Sequence, residues 1–253
     1  MHLDALLRSA CPILYLVLSL ASTSLACPFC GPVETPLSYS IERSTDIAIG
    51  DSVTDAVANI QGQQHQSFSL LSRIIPTPSG RKVVAIESAI PLVKATVETT
   101  FSGTALLFDL PVTGWTAHAA DEMFLGYALQ IPPLTQKIFN NKNRLEWFAQ
   151  WLDHPNPAIS KDAYAEFALA PFQEVRDSAH AFSPEHVIDH LNDLSIQQQR
   201  RGFYGIVAGV LARRSSKGSQ SACANILVRM ITKHHSSDFQ AGLMVLWLDS
   251  LLR

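Results

Sequence analysis

The sequence contains 253 residues, of which 47% are hydrophobic and 16% are charged, and its formal net charge is −3 at pH 7. This length is sufficient for one large hydrophobic core or two smaller ones. Because the chain is not basic and its aromatic residues are not interleaved with Lys and Arg, we expect no nucleic-acid partner.

Residues 1–26 are predicted to be a secretory signal peptide. The apolar run CPILYLVLSL follows Arg8 and is too short to cross a membrane comfortably. Ser24 and Ala26 supply the small side chains of a cleavage site, and cleavage would leave Cys27 as the first residue. We therefore expect export to the periplasm or cell envelope, where disulfides persist. Lipid anchoring at Cys27 is not favoured, because acylation signals carry Leu at the position that Ser24 occupies.

Residues 27–39 form a lead that contains Cys27 and Cys30 in a C-x-x-C arrangement. A redox dithiol normally follows a strand and begins a helix, whose N-terminus lowers the thiol pKa. Here no strand precedes the motif and a Gly-Pro pair follows it. The favoured interpretation is therefore a structural disulfide, and pairing with Cys223 is an alternative. We expect Cys223 itself to be a buried free thiol, because it lies on an apolar helical face.

Residues 40–135 are predicted to form a β-rich domain. Short apolar or alternating runs recur there between clusters of Gly, Pro, Asn and Ser. The runs are DIAIGDSV, SFSLLSRII, RKVVAIESAI, VKATVETTFSG and TALLFDLPV, and MFLGYALQI is interpreted as the last strand. Few helical patterns interrupt them, which favours a small antiparallel barrel or sandwich over a doubly wound sheet.

Residues 141–253 have the period of helices. In the first of these segments, Leu145, Phe148 and Leu152 share one face. Two further helices begin with an N-cap residue followed by Pro at the first helical position, at Asn156–Pro157 and Ser183–Pro184. Helices are also predicted in QQQRRGFYGIVAGVLARR, SQSACANILVRMITKHH and SDFQAGLMVLWLDSLLR.

These helices can be grouped into pairs that start near residues 142, 183 and 219. Their spacing of about 36–41 residues is close to the period of HEAT-type repeats. The predicted fold is therefore α+β, a small antiparallel β barrel or sandwich followed by a HEAT-like α-helical solenoid, with an irregular bundle as the alternative to the solenoid. After the signal peptide, no segment reaches the roughly 18 uninterrupted apolar residues of a transmembrane helix.

The last predicted helix, 238–253, is apolar around nearly its whole circumference. Such a helix is normally buried on several sides, whereas the final helix of a solenoid has a polar outer face. We therefore expect this helix to pack inside the bundle or to mediate self-association with another chain. A further alternative is that the chain is shorter than its relatives.

Three strings give the sequence a family resemblance: ACPFC, DAYAEFALAP and GFYG. They resemble a group of uncharacterised exported bacterial proteins, over about residues 20–250. Those proteins begin the mature chain with A-C-P-F-C and continue through a β-rich segment into helices. The resemblance implies the same two-part architecture, but it implies no activity and supplies no catalytic residues.

The string IAIGDSVTD resembles the nucleophile block of GDSL-type serine esterases. By that resemblance Ser52 would be the nucleophile, and Asp177 and His180 of the string DSAH would complete a triad. The esterase fold, however, alternates strands and helices, whereas residues 60–133 are predicted to be consecutive strands. An Asp-Ser turn at the end of a strand is therefore the favoured interpretation of this string.

His186 and His190 are four positions apart and are predicted to share one helical face, as two metal ligands would. The string is not H-E-x-x-H, because Glu185 precedes the first histidine. Polar surface histidines are the favoured interpretation, so neither a metal nor any other cofactor is expected.

The function predicted from the sequence is a non-enzymatic protein-interaction or scaffold module with a protein partner, acting outside the cytoplasm. This prediction rests on the helical region, because solenoids offer extended binding faces. A thiol-disulfide redox protein that uses Cys27 and Cys30 is the first alternative, and a serine esterase that uses Ser52 is the second.

Overall fold

The computed structural model describes residues 34–53, 58–60, 62–77, 80–87, 91–134, 138–139, 142–193, 195–196, 198–214, 223 and 225. The chain divides into two compact units. The barrel unit comprises Glu34–Glu174, and the helical unit contains Val175 and the residues that follow. The predicted signal peptide, the Cys27–Cys30 motif and the predicted helix 238–253 lie outside the described residues.

The strands of the barrel unit belong to one large sheet and one short ribbon. The large sheet contains β1 (Asp46–Ser52), β2 (Ala58–Ile60), β3 (Gln63–Thr77), β4 (Gly80–Ala85), β5 (Leu92–Val97), β6 (Thr104–Leu110) and β7 (Gly114–Ala119). The short ribbon pairs β8 (Ile138–Phe139) with β9 (Lys142–Asn143).

The large sheet closes into a five-stranded barrel. The order is β1-β6-β7-β5-β3, and β3 returns to pair with β1. All of these contacts are antiparallel except the one between β5 and β7, which is parallel. Barrel closure confirms the predicted β barrel. A five-stranded Greek-key barrel of this kind has the connectivity of an OB-type barrel.

Small and large side chains together fill the barrel interior. Its core consists of Ala48, Phe68, Leu70, Ala95, Val97, Ala105, Leu107 and Ala117. Four alanines leave room for the larger side chains, as a narrow closed barrel requires. The register between β1 and β3 shifts between Ile49 and Gly50. A Cβ atom on Gly50 would lie 2.6 Å from the carbonyl oxygen of Ser69, so the close approach of these strands requires glycine.

Helices cover part of the barrel unit. They are α1 (Leu37–Arg43), α2 (Glu122–Gln130), α3 (Arg144–Ala149) and α4 (Pro157–Leu169), and α5 (Phe172–Ser178) crosses the division between the units. The barrel unit thus includes these helices as well as the strands, up to Glu174.

The interpretation of MFLGYALQI as a strand is wrong, because these residues lie in α2. The side chain of Asp121 accepts a 2.7 Å hydrogen bond from the Phe124 amide and caps the helix. The buried side chains also follow helical spacing: Phe124, Tyr127, Ala128 and Ile131.

The other helix predictions in this region are confirmed. Asn156 accepts a 2.9 Å hydrogen bond from the Ala158 amide at the start of α4, and Pro157 occupies the first turn. Of the three side chains predicted to share an apolar helical face, Leu145 and Phe148 are buried on α3, whereas Leu152 is buried in the turn that follows the end of α3 at Ala149. The start of α4 and the buried side of α3 therefore follow from local sequence patterns.

The helical unit contains a short 3₁₀ turn at Ala179–Ala181 and the helices α6 (Pro184–Asn192) and α7 (Gln198–Arg214). Ser183 caps α6 as predicted, accepting a 3.1 Å hydrogen bond from the His186 amide. The α+β class is thus confirmed, and the HEAT-like arrangement stays a prediction. Among the helices in the described ranges, none is both long and apolar enough to cross a membrane.

Candidate functional site

A buried carboxyl group on α4 connects three helices of the barrel unit. The Oδ2 atom of Asp162 accepts a 2.6 Å hydrogen bond from the Tyr127 hydroxyl on α2. Its Oδ1 atom accepts a 2.7 Å hydrogen bond from the Leu37 amide at the start of α1. Both carboxyl oxygens are therefore bound to donors from other helices, and the side chain is buried.

The contact with Leu37 compensates for a missing helix cap. Pro36 occupies the N-cap position of α1 and makes no side-chain hydrogen bond there. The first amides of a helix have no partner within the helix, so an acceptor from elsewhere must satisfy them when they are buried. Asp162 provides that acceptor from a position 125 residues later in the chain.

Glu166 lies one turn after Asp162 and forms a buried ion pair. Its Oε2 atom is 2.8 Å from the Nη2 atom of Arg144, and the two side chains are only 2% and 10% exposed. The Arg144 guanidinium also lies 4.8 Å from the centre of the Phe148 ring. Such a pair depends on both partners, because either charge alone would be buried without compensation.

Burial dominates the acid–base properties of this group. It raises the pKa of Asp162 to about 7, although the hydrogen bonds from Leu37 and Tyr127 oppose the rise. Burial, and then the neighbouring Asp162, raise the pKa of Tyr127. Burial also raises the pKa of Glu166, against the opposing charge of Arg144. The carboxyl of Asp162 therefore titrates near neutral pH.

Asp162 also lines a cavity of about 310 Å³ within the barrel unit. Carboxylates, aromatic rings and a histidine converge there from β7, from the segment between β5 and β6, from α2, from α4 and from the residues before α1. The lining residues that carry polar or aromatic groups include Glu34, Glu98, Phe101, His118, Phe124 and Lys161. A concave site with an apolar wall and a few polar groups is the usual form of a ligand site.

His118 is half-buried on β7 and faces this cavity. Burial lowers the pKa of its imidazole, and the charges of Glu98 and Glu34 only partly oppose the effect. The ring is therefore neutral at pH 7. Its edge-on contact is with Phe108, at 5.7 Å between ring centres. Within the part of the chain that the structure describes, the imidazole nitrogens have no hydrogen-bond partner.

The residues predicted for a serine esterase occur in different units. Ser52 ends β1 in the barrel unit, where its hydroxyl accepts a 2.9 Å hydrogen bond from the Gly103 amide. Asp177 and His180 lie in the helical unit, where the Nδ1 atom of His180 is 2.8 Å from the main-chain oxygen of Asp177. The esterase stays a prediction, and the position of Ser52 at the end of an antiparallel barrel strand adds no support to it.

The structure places His186 and His190 side by side on α6, as predicted. Their ring centres are 4.1 Å apart, and the Tyr204 ring of α7 lies 4.4 Å from the His190 ring. The Nδ1 atom of His190 is 2.9 Å from the main-chain oxygen of His186. The predicted shared face is thus confirmed, whereas metal binding by the pair stays a prediction.

Cys223 is buried, and among the described residues it has no disulfide partner. Burial raises the pKa of its thiol, and the charge of Glu185 adds to the rise. A buried thiol with a raised pKa is a weak nucleophile, which agrees with the structural role predicted for Cys223.

Sequence reasoning did not identify Asp162, Glu166, Tyr127, Arg144 or His118. One signal was present, because Asp162 and Glu166 share a face in the apolar string DAYAEFALA. Comparison of the chain with models of known families, with curated proteins and with solved structures gives no match. No activity or ligand is therefore transferred to it from a relative.

Proposed function

We propose that this chain is an exported, non-enzymatic protein-interaction module that binds its partner at the ribbon formed by β3 and β4. The supporting observation is a group of large apolar side chains exposed on that ribbon, here called the ribbon patch. Its members and their exposed fractions are Leu71 (40%), Ile75 (46%) and Val84 (37%), and they share one face of the ribbon because Val84 pairs with Arg73 between the other two. Contiguous exposed apolar surface on a folded protein commonly marks an interaction site.

The hydrogen-bond pattern of the ribbon leaves one edge of β4 open. The Ile86 amide donates to the Leu71 carbonyl at 3.0 Å, and Arg73 is paired with Val84. Hydrogen-bonded and non-hydrogen-bonded pairs alternate along an antiparallel ladder, so the pair Arg73–Val84 is hydrogen-bonded and the next pair, Ile74–Val83, is not. The main-chain NH and CO groups of Val83 therefore point away from β3. In the described ranges, β4 pairs with β3 and with no other strand.

An open strand edge flanked by exposed apolar side chains suits strand addition. An extended segment of a partner can form main-chain hydrogen bonds along the edge, while its alternate side chains cover the ribbon patch. Exposed edges of this kind otherwise favour aggregation, so proteins usually shield them with charges or proline. Two charged residues lie on β4. The Arg81 guanidinium donates a 2.8 Å hydrogen bond to the Ile131 carbonyl, just after the end of α2, and Lys82 is exposed beside Val83.

The helical region contributes to the same proposal. Consecutive helices pack in pairs, α3 with α4 and α6 with α7. The pairs begin at Arg144 and Pro184, which are 40 positions apart in the sequence. This interval is within the roughly 40–47-residue period of HEAT-type repeats, so the sequence spacing of the two pairs is the support for the HEAT-like part of the proposal.

Differential capture tests the proposal. The mature chain, residues 27–253, is immobilised together with the variants Val84→Lys and Val112→Lys, and proteins of the cell envelope are passed over all three. Val112 is 95% exposed in the turn between β6 and β7 and serves as the matched control. We expect a partner that the wild type and Val112→Lys retain and that Val84→Lys loses.

Hydrogen exchange then locates the contact. The captured partner should slow the exchange of the Val83 and Ala85 amides, because both would donate to the added strand. Equal retention by Val84→Lys, or retention of no protein by the wild type, would contradict the proposal. A melting curve of each variant by circular dichroism shows that the exposed substitution leaves the barrel folded.

A further inference from the structure

We propose that the cavity beside β7 and α4 binds a small organic cation, an amine or a guanidinium compound. This site is separate from the ribbon patch and does not depend on the proposed protein partner. Its residues belong entirely to the barrel unit.

The size and the walls of the cavity suit a compact ligand. Its volume of about 310 Å³ is at the lower end of the range found for small-molecule sites. Phe101 and Phe124 supply two aromatic rings, and Ala117 and Ala165 add apolar surface. The faces of aromatic rings attract cations, so these walls favour a positively charged ligand over an anion.

The charges that line the cavity are mainly negative. Glu34, Glu98 and Asp162 contribute carboxyl groups, and Lys161 is the cation among the described lining residues. The Lys161 ammonium lies 3.6 Å from the Glu34 carboxylate, and both of these side chains are 59% exposed. This pair therefore balances itself near solvent, and the charge of Glu98 remains for a ligand, joined by that of Asp162 once this carboxyl has lost its proton.

His118 can orient a ligand in the cavity through hydrogen bonds. Its neutral imidazole offers one acceptor nitrogen and one donor nitrogen, and neither is used within the described part of the chain. A ligand ammonium or guanidinium can donate to the acceptor nitrogen. Because the ring is uncharged, it does not repel such a ligand as an imidazolium would.

Binding should depend on pH through Asp162. A cation favours the ionised carboxylate, so affinity should increase as the pH rises through the range in which Asp162 loses its proton. Three other titratable or charged side chains act on this carboxyl: Tyr127, Glu166 and Arg144. The remaining titratable groups of the cavity wall are Glu34, Glu98, His118 and Lys161, and the Asp162→Asn variant retains all seven.

Titration of the mature chain with defined probes tests the site. Agmatine and butylamine are the cationic probes, and butanol and butyrate are the neutral and anionic counterparts of butylamine. Binding is followed by two-dimensional NMR, with the His118 and Ala117 signals as reporters of the cavity. We expect agmatine to bind with a dissociation constant of about 1 mM or below, and butyrate to cause no shift at these signals.

Variants assign the effect to the carboxylates. Glu98→Gln should weaken agmatine binding about five- to tenfold, because one unit charge near the ligand is removed. Glu122→Gln, an exposed change outside the cavity, is the matched control and should leave binding unchanged. Asp162→Asn should remove the pH dependence of affinity between about pH 6 and pH 8.

Three results would overturn the proposal. Butanol could shift the cavity signals as strongly as butylamine, which would indicate a merely apolar pocket. Glu98→Gln and Glu122→Gln could have equal effects, which would indicate a general surface attraction. Agmatine could also leave the His118 and Ala117 signals unchanged. Since Glu98 is exposed, its substitution keeps the test valid even if Asp162→Asn fails to fold.

Discussion

The hydroxyl of Tyr127 donates a 2.6 Å hydrogen bond to Asp162, whose other oxygen accepts from the amide of Leu37. One carboxyl group thus joins α1, α2 and α4 of the barrel unit. Trp147 stacks on the Tyr127 ring at 5.4 Å between ring centres, so an apolar wall covers the hydrogen bond. The Asp162–Tyr127 contact therefore has a structural role, and Asp162 also contributes a wall of the cavity.

Removal of the Asp162 carboxyl should destabilise the barrel unit. Asp162→Ala leaves the Tyr127 hydroxyl and the Leu37 amide buried without their acceptor, and we expect a loss of about 2–4 kcal/mol in unfolding free energy. Urea unfolding followed by tryptophan fluorescence measures this loss. Lys161→Ala, an exposed change on the same helix, is the control and should change the free energy by less than about 0.5 kcal/mol.

The stability of the barrel unit should fall as the pH rises from about 4 to about 7. Burial raises the pKa of Asp162 from an ordinary value of 3.8 to about 7, so the folded state holds a proton that the unfolded state has released. The protonated carboxyl contributes to the free energy of unfolding. This contribution is fully present below the pKa of Asp162 in the unfolded state and is lost as the pH rises through its pKa in the folded state. Burial also raises the pKa of Glu166, so this group adds to the fall of the unfolding free energy with pH.

Asp162→Asn should flatten this pH dependence, because the amide is uncharged at every pH. Its oxygen can still accept from Leu37, and its NH₂ group can donate to the Tyr127 oxygen. Urea unfolding at a series of pH values gives the slope for each protein. An unchanged slope in Asp162→Asn would show that another group causes the dependence.

Arg144 and Glu166 should behave as a coupled pair in a double-mutant cycle. Arg144→Met alone should cost about 3–5 kcal/mol, because the Glu166 carboxylate stays buried without its partner. Adding Glu166→Met removes that charge, so the double variant should be more stable than Arg144→Met. Urea unfolding measures the free energy of unfolding of each variant. A loss in the double variant that equals the sum of the losses in Arg144→Met and Glu166→Met would contradict a coupled buried ion pair.

The sequence predicted the barrel because its strands alternate locally between buried and exposed residues. In β3, for example, Phe68 and Leu70 face the core, and Ser67 and Ser69 are half-buried between them. The helix α2 was missed because its short apolar string fits a buried strand as well as a buried helix. The Asp121 cap and the spacing of Phe124 and Tyr127 decide between the two.

The candidate sites depend on contacts between residues far apart in the sequence. Leu37 and Asp162 are 125 positions apart, and no local pattern relates an amide to a carboxyl over that distance. The cavity likewise combines Glu98, His118 and Lys161 from separate elements. Local spacing did predict the neighbouring rings of His186 and His190, since four positions are about one helical turn.

The affinity of the captured partner for three versions of the mature chain tests the central claim most directly. If the ribbon patch is the docking surface, Val84→Lys should weaken binding at least about tenfold, because the lysine places a charge where an apolar side chain should pack. Val112→Lys should bind like the wild type. Equal dissociation constants for all three proteins would show that the partner binds elsewhere and would contradict strand addition at β4.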